Sequence, residues 1–133
     1  MSGMYSLELT CHASIRTRMP LNFPSAKELR KHARRHWREF NLRDETCLQE
    51  YLDLACVFCD GPCPADVQEC IRTCDTFVDR FRDSTGEFAV MMPNRTAILT
   101  FHVLYPLGTI GVERTHGFPS NQAYYDADCE CLT

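Results

Sequence analysis

The sequence predicts an α+β fold: an N-terminal strand, three helices and then a three-stranded antiparallel meander, with the helices packed on one face of the sheet. Three observations carry this reading. Residues 5–15 alternate with period two, successive segments between 25 and 82 repeat apolar side chains at helical spacing, and the apolar runs after residue 86 return to strand character. The chain has 133 residues, 44% hydrophobic and 24% charged, which suits one domain with its own core. That domain is expected to span residues 1–133, with 118–133 as an irregular C-terminal segment.

Each element has its own justification. Tyr5, Leu7, Leu9, Cys11, Ala13 and Ile15 share one side of the first strand, and the intervening residues are mostly polar. Two prolines in "MPLNFP" then break the chain. Ser25 and Glu28 form a capping-box pattern at the head of "AKELRKHARRHWREF". In that helix Leu29, Ala33, His36, Trp37 and Phe40 make the inward stripe, and the cations fall on the remaining surface. Asp44 is placed to cap a second helix, "ETCLQEYLDLACVF", with Leu48, Tyr51, Leu52 and Ala55 inward. Pro64 suits the first turn of a third helix running to about Arg82, with Val67, Cys70, Ile71, Cys74, Phe77, Val78 and Phe81 as its stripe. "EFAVMM" and "TAILTFHVLY" then meet across Pro93–Asn94 as a hairpin. The second of these is apolar on both sides, which predicts a central strand, and "TIGVERT" completes the meander.

"ACVFCDGPCPADVQECIRTC" holds five of the nine cysteines, Cys56, Cys59, Cys63, Cys70 and Cys74. Three readings stay open. Cys56-x2-Cys59 has metal-ligand spacing, and four thiolates around one Zn2+ would make a closed structural site tying helices two and three together. Buried thiols are the second reading, because Cys70 and Cys74 fall on an apolar stripe where cysteine behaves as a small hydrophobe. Disulfides are the third. "MSGMYSLELTCHAS" has no basic stretch followed by an apolar one, so an intracellular location, nucleus or cytoplasm, is expected and secretion is not. Thiols are normally kept reduced there, which sets metal and core ahead of disulfides. No apolar run is long enough for a bilayer, so no membrane association is expected.

The first helix is basic on a chain of net charge −4. Arg30, Lys31, Arg34, Arg35 and Arg38 are therefore candidate partner-binding residues, and Asp126, Asp128 and Glu130 near the C-terminus are candidate acidic counterparts in a homo-oligomer. Phosphates of nucleic acid are an alternative partner, less favoured because no aromatics are interleaved with the arginines and the chain is acidic overall. His32 is expected to be solvated and His36 packed beside Trp37. No catalytic motif is present, so a non-enzymatic protein is expected; the alternative is a small α+β enzyme with a helix–sheet pocket and His102 as base.

Two resemblances follow from these residues. "LTCHA" at Leu9 to Ala13 resembles the Leu-x-Cys-x-Glu motif by which DNA tumour-virus proteins bind retinoblastoma-type pocket proteins, with Ala13 where the motif has Glu, and that function is not carried over. A strand leading through a short loop into "ELRKHARRHWREFNL" is similar in order to the small regulatory proteins of the adenovirus early region four, over about the first forty residues. That resemblance implies a viral regulatory or adaptor protein that self-associates and binds host regulatory proteins. Apart from the candidate zinc, no cofactor is expected.

Overall fold

The structure is a computed structural model and describes Leu9, residues 21–105 and residues 117–133. The expected first strand lies outside the described residues except for Leu9, whose carbonyl accepts a hydrogen bond from Asn22 Nδ2 at 2.8 Å. The expected strand at 109–115 also lies outside them. The class is α+β, with three α-helices and one four-stranded antiparallel sheet among the described residues.

Helix α1 spans Ala26–His36, and its start follows the capping pattern: extended Ser25 accepts a hydrogen bond at Oγ from the Glu28 amide at 3.2 Å. A 3-10 turn, Trp37–Phe40, tightens its end, and left-handed Asn41 terminates it. Asp44 does not cap the second helix directly. Its Oδ1 accepts from the Thr46 amide at 2.8 Å, forming a turn that delays α2 to Leu48–Cys59. Tyr51, Leu52, Ala55, Cys56 and Phe58 are buried along α2.

The predicted third helix is instead a hairpin. Strand β1 is Gln68–Ile71 and β2 is Val78–Phe81, paired antiparallel from Gln68 opposite Phe81 to Ile71 opposite Val78. The turn is set by Asp75, whose Oδ1 accepts from the Phe77 amide at 3.0 Å, and by Thr76 at φ 63°. All four residues of β2 are buried, because it is covered on both faces, and such a strand carries no polar alternation to mark it. The apolar positions of 67–81 therefore fitted a helical period by coincidence.

Strand β3 is Glu87–Met91 and β4 is Ile98–Val103, joined by a 3-10 turn at Pro93–Arg95 as the hairpin reading required. The sheet order is β1-β2-β3-β4, so β4 ends the described order and is not central as expected. A bulge at Val90/Met91 places Val90 opposite Thr100 and Met91 opposite Ile98. The extra residue brings Ile98 and Phe101 to the same face, which a strict alternation of two had separated. Gly86, at φ +82°, sits where a Cβ would meet the Leu104 carbonyl at 2.7 Å, so the β2–β3 connection requires glycine.

Helices α1 and α2 cover one face of the sheet. Leu29, Ala33, Tyr51, Leu52 and Phe58 pack there on Val78, Ala89, Met91, Ile98 and Phe101. The other face is covered by a helix that the sequence reading missed. Residues 121–129 form α3, Asn121–Cys129, begun by Ser120, whose Oγ accepts from the Ala123 amide at 3.0 Å. Tyr125 stacks on Phe81 at 5.1 Å, within a second core that also holds Phe88, Val90 and Leu104. The helices are thus not all on one face. No helix among the described residues is long and apolar enough to cross a membrane.

Candidate functional site

The hairpin disperses the expected cysteine cluster. Cys70 and Cys74 do not share a helical face: Cys70 is in β1, and Cys74 is in the turn after it. Each is disulfide-bonded to the C-terminal segment, Cys70 to Cys129 and Cys74 to Cys131, both with Cα atoms 6.1 Å apart. Cys56 is also disulfide-bonded. Cys59 is free and buried in α2, where burial pushes its thiol up to about 12. Cys63 is free and half-buried, and its thiol donates to Glu69 Oε1 at 3.2 Å. The five residues therefore do not converge on one zinc ion. Cys70, Asp79 and Cys129, and separately Cys74, Asp75 and Cys131, have ligand atoms within 4.8 Å of one another, a spacing that could hold a metal. Their sulfurs are bonded pairwise, however, and a disulfide sulfur is not a thiolate ligand.

The disulfides bring acidic residues of α3 onto β1 and β2. Asp128, expected as an exposed partner-binding charge, is buried: its Oδ2 accepts from Arg72 Nη1 at 3.2 Å, and its Oδ1 from the Thr133 hydroxyl at 2.5 Å. Asp126 and Glu130 are exposed. Beside Asp128 lies Asp79 of β2, fully buried, with no donor to either carboxylate oxygen. Burial, and then Asp128, push its carboxyl up to about 9. In the protonated form it can donate to Asp128, which reconciles its lack of donors with its place against a second acid. Sequence reasoning missed Asp79 because it lay on the supposed polar side of a helix. Read with period two, "FVDRF" places a charge on each face of a buried strand, which is the signal that was available.

Arg80 is the second charge. It is 1% exposed; Nε donates to Glu69 Oε1 at 2.7 Å, Nη1 to the Phe58 carbonyl at 3.0 Å and Nη2 to the Gly61 carbonyl at 2.5 Å. It thus closes the C-terminal end of α2 from the sheet. Arg95 pairs with the other Glu69 oxygen, and Gly61, Pro62, Cys63, Glu69, Arg80 and Arg95 line a cavity of about 540 Å³.

On α1, Lys27, Arg30, Arg34 and Arg35 are exposed and Lys31 is half-exposed, and Arg38 is exposed on the 3-10 turn that follows, as the spacing predicted. Lys31 pairs with Glu28 at 3.2 Å, and Arg38 stacks on Trp37 at 4.4 Å. Lys27, Arg30, Arg34 and Arg35 form no ion pair among the described residues, and with Lys31 they line a groove of about 370 Å³.

His32 is not solvated. It is 8% exposed, stacked on Phe23 at 5.5 Å, and burial holds its imidazole down to about 4. His36 is packed as expected, with Nδ1 at 2.9 Å from Glu39 Oε2, and it stacks on His102 at 5.0 Å. Glu39 in turn accepts from the Val103 amide at 2.8 Å. His102 is therefore near a carboxylate-bound imidazole, but its Nδ1 is at 3.0 Å from the Thr100 hydroxyl within its own strand. No family model matches the chain, and no curated protein or solved structure matches it either.

Proposed function

We propose that the protein is a non-enzymatic interaction module whose α1 face binds acidic protein surfaces, including a second copy of itself. The observation that carries this reading is the row of cations Lys27, Arg30, Arg34 and Arg35, unpaired among the described residues, on a chain of net charge −4. Acids are plentiful in the sequence, yet among the described residues only Glu28 pairs with a lysine or arginine of α1, and Glu45 lies beside Arg30 and Arg34 without forming an ion pair. Leu54 and Val57, exposed on α2 at 39% and 69%, add apolar area on the same side of the sheet. Arginine mixed with apolar surface favours a protein over nucleic acid. Asp126 on α3 and Glu130 at its C-terminal cap lie on the opposite side of the sheet, so they cannot neutralise α1 of their own chain. Complementary patches on opposite faces favour head-to-tail association.

The resemblance to the adenovirus early-region regulators agrees with self-association and capture of host regulatory proteins. Of the pattern that carries it, Leu9, residues 21–24 of the loop and the helix fall among the described residues. The disulfides support folding in an oxidising setting, so the compartment is proposed as one where Cys70–Cys129 and Cys74–Cys131 can form. Sedimentation velocity of the wild type and of the Arg34→Glu/Arg35→Glu variant, at roughly 0.05 M and 0.5 M salt, tests the reading. Oligomers that dissociate in high salt and in the variant are expected. A monomer in all conditions, together with duplex DNA binding that falls steeply with salt, would overturn it in favour of nucleic acid.

A further inference from the structure

We propose that Cys70–Cys129 is an exchange-active disulfide that reacts with external thiols, with Asp79 as its proton donor and acceptor. The geometry is specific to this pair. Asp79 stands directly across from Cys70 in the β1–β2 register, and a carboxylate oxygen and the two sulfurs lie within 4.8 Å of one another. Asp79 is fully buried and its oxygens have no donor, so the group is neither a structural ion pair nor a solvated acid. Cys70 and Cys129 are each only half-buried, which leaves a path for an attacking thiol.

The chemistry balances with a dithiol as reductant. An external thiolate attacks one sulfur of the pair and forms a mixed disulfide. The Cys70–Cys129 bond breaks, and its electron pair goes to the other sulfur. That thiolate emerges within reach of the Asp79 carboxyl, whose oxygen lies within 4.8 Å of both sulfurs and which no donor engages. Asp79 hands it a proton and becomes the carboxylate. The second thiol of the reagent then displaces the remaining cysteine, leaving two protein thiols and an oxidised reagent. In the reverse direction Asp79 takes a proton from the attacking protein thiol. The groups facing Asp79 are Asp128, Tyr124 and Tyr125 of α3, and Arg72 and Asp75 at the β1–β2 turn. The neighbouring Cys74–Cys131 pair lacks such a donor: its Asp75 is only partly buried and is paired with Arg72 at 3.0 Å.

The two disulfides allow a test within one molecule. The full chain is treated with dithiothreitol, quenched in acid at intervals and alkylated differentially. Trypsin cleaves after Arg72 and so separates Cys70 from Cys74. In Asp79→Asn, reduction of Cys70–Cys129 is expected to slow about tenfold or more, while Cys74–Cys131 keeps its rate. Equal rates in variant and wild type, or the same slowing of both disulfides, would overturn the proposal, since the latter reports general opening of the fold. A second measurement needs no variant. In the wild type the ratio of the two reduction rates should fall as pH passes through about 9, where Asp79 loses its proton. The ratio cancels the changing thiolate content of the reagent, and a flat ratio refutes the role.

Discussion

Replacing Arg80 by Met should strongly destabilise the protein. The side chain is 2% exposed and that of its partner Glu69 is 16% exposed, so neither is screened as a surface pair is. The substitution removes a bond to a carboxylate at 2.7 Å and two bonds to the carbonyls of Phe58 and Gly61 at 3.0 and 2.5 Å. A hydrogen bond involving a charged group contributes roughly 1.5–3 kcal/mol, and a buried acceptor left without a donor costs about 1–3 kcal/mol. Glu69 is not left as a bare buried charge, because Arg95 still holds its other oxygen, and Met refills much of the volume. The net loss should therefore be about 3–5 kcal/mol, the range for breaking one side of a buried ion pair. Urea unfolding with an unchanged slope would report it directly, and the midpoint temperature should fall on the order of 10–20 °C. A loss below about 1 kcal/mol would show that the α2 carbonyls find other donors and that Arg80 does not close the helix. Glu69→Gln, alone and combined with Arg80→Met, supplies the double-mutant cycle, in which the charge term should appear as coupling.

Other outcomes follow from the same inventory. The disulfides Cys70–Cys129 and Cys74–Cys131 close loops of sequence separation 59 and 57, so each constrains nearly the same loop. With loop-closure arithmetic, replacing one pair by Ser should cost about 2.5 kcal/mol and replacing both about 7 kcal/mol, a non-additivity visible in denaturant titrations. His32 has a folded-state pKa of about 4 against 6.5 when unfolded, so the unfolded chain binds more protons between those values. Stability is then full above 6.5 and lost as pH falls toward 4, by about 3 kcal/mol, and a His32→Phe variant should lose this part of the acid slope. Asp79 has the opposite sign. Its pKa is raised from 3.8 to about 9, so its contribution is full below 3.8 and is lost as pH rises toward 9. Asp79→Asn should consequently be more stable than wild type at pH 7 by a few kcal/mol and little different at pH 4, as measured by thermal melts across pH. Equal stabilities at both pH values would show that Asp79 is solvated in the native state.

What was legible in the sequence was what local chemistry decides. Ser25 and Glu28 mark a helix start whatever packs on it, and the cations of α1 point outward because Leu29 and Ala33 must point inward. The β3–β4 hairpin was equally clear from its apolar runs and turn. The misread segment is instructive in physical terms. Val67, Cys70, Ile71, Cys74, Phe77, Val78 and Phe81 satisfy a period near 3.6, but Cys, Ile, Val and Phe also favour strands. A strand buried on both faces has no polar alternation to betray it, so the Asp75-Thr76 turn and the charges within "FVDRF" were what could have broken the tie. Helix α3 was missed for the converse reason. Its inward face is Tyr125 and the buried acid Asp128, and a buried carboxylate reads as solvent-facing in any apolar count. The candidate site suffered most, because it depends on pairing the hairpin with the C-terminal segment. Cys129-x-Cys131 and Cys70-x3-Cys74 do not announce which sulfurs meet.

The two proposals bear on each other through α3. The core beneath this helix joins Tyr125 to Phe81, Phe88, Val90 and Leu104, with half-buried Tyr124 and Cys129 packed at its edge. To this apolar hold the Arg72–Asp128 pair adds a partly buried ionic contact, and Gln122 and Asn121 add hydrogen bonds to Gln68 and the Leu104 carbonyl. The disulfides are the covalent restraint on α3, and with it on Asp126 and Glu130, opposite the basic face. If Cys70–Cys129 exchanges with external thiols, Cys74–Cys131 alone still anchors the chain end, and the acids keep their place. Only reduction of both pairs frees the acidic patch. Charge-driven self-association should therefore survive mild reductant and be lost under strong reductant. A loss already complete when Cys70–Cys129 alone has opened would mean that this bond, and not the pair, positions the helix.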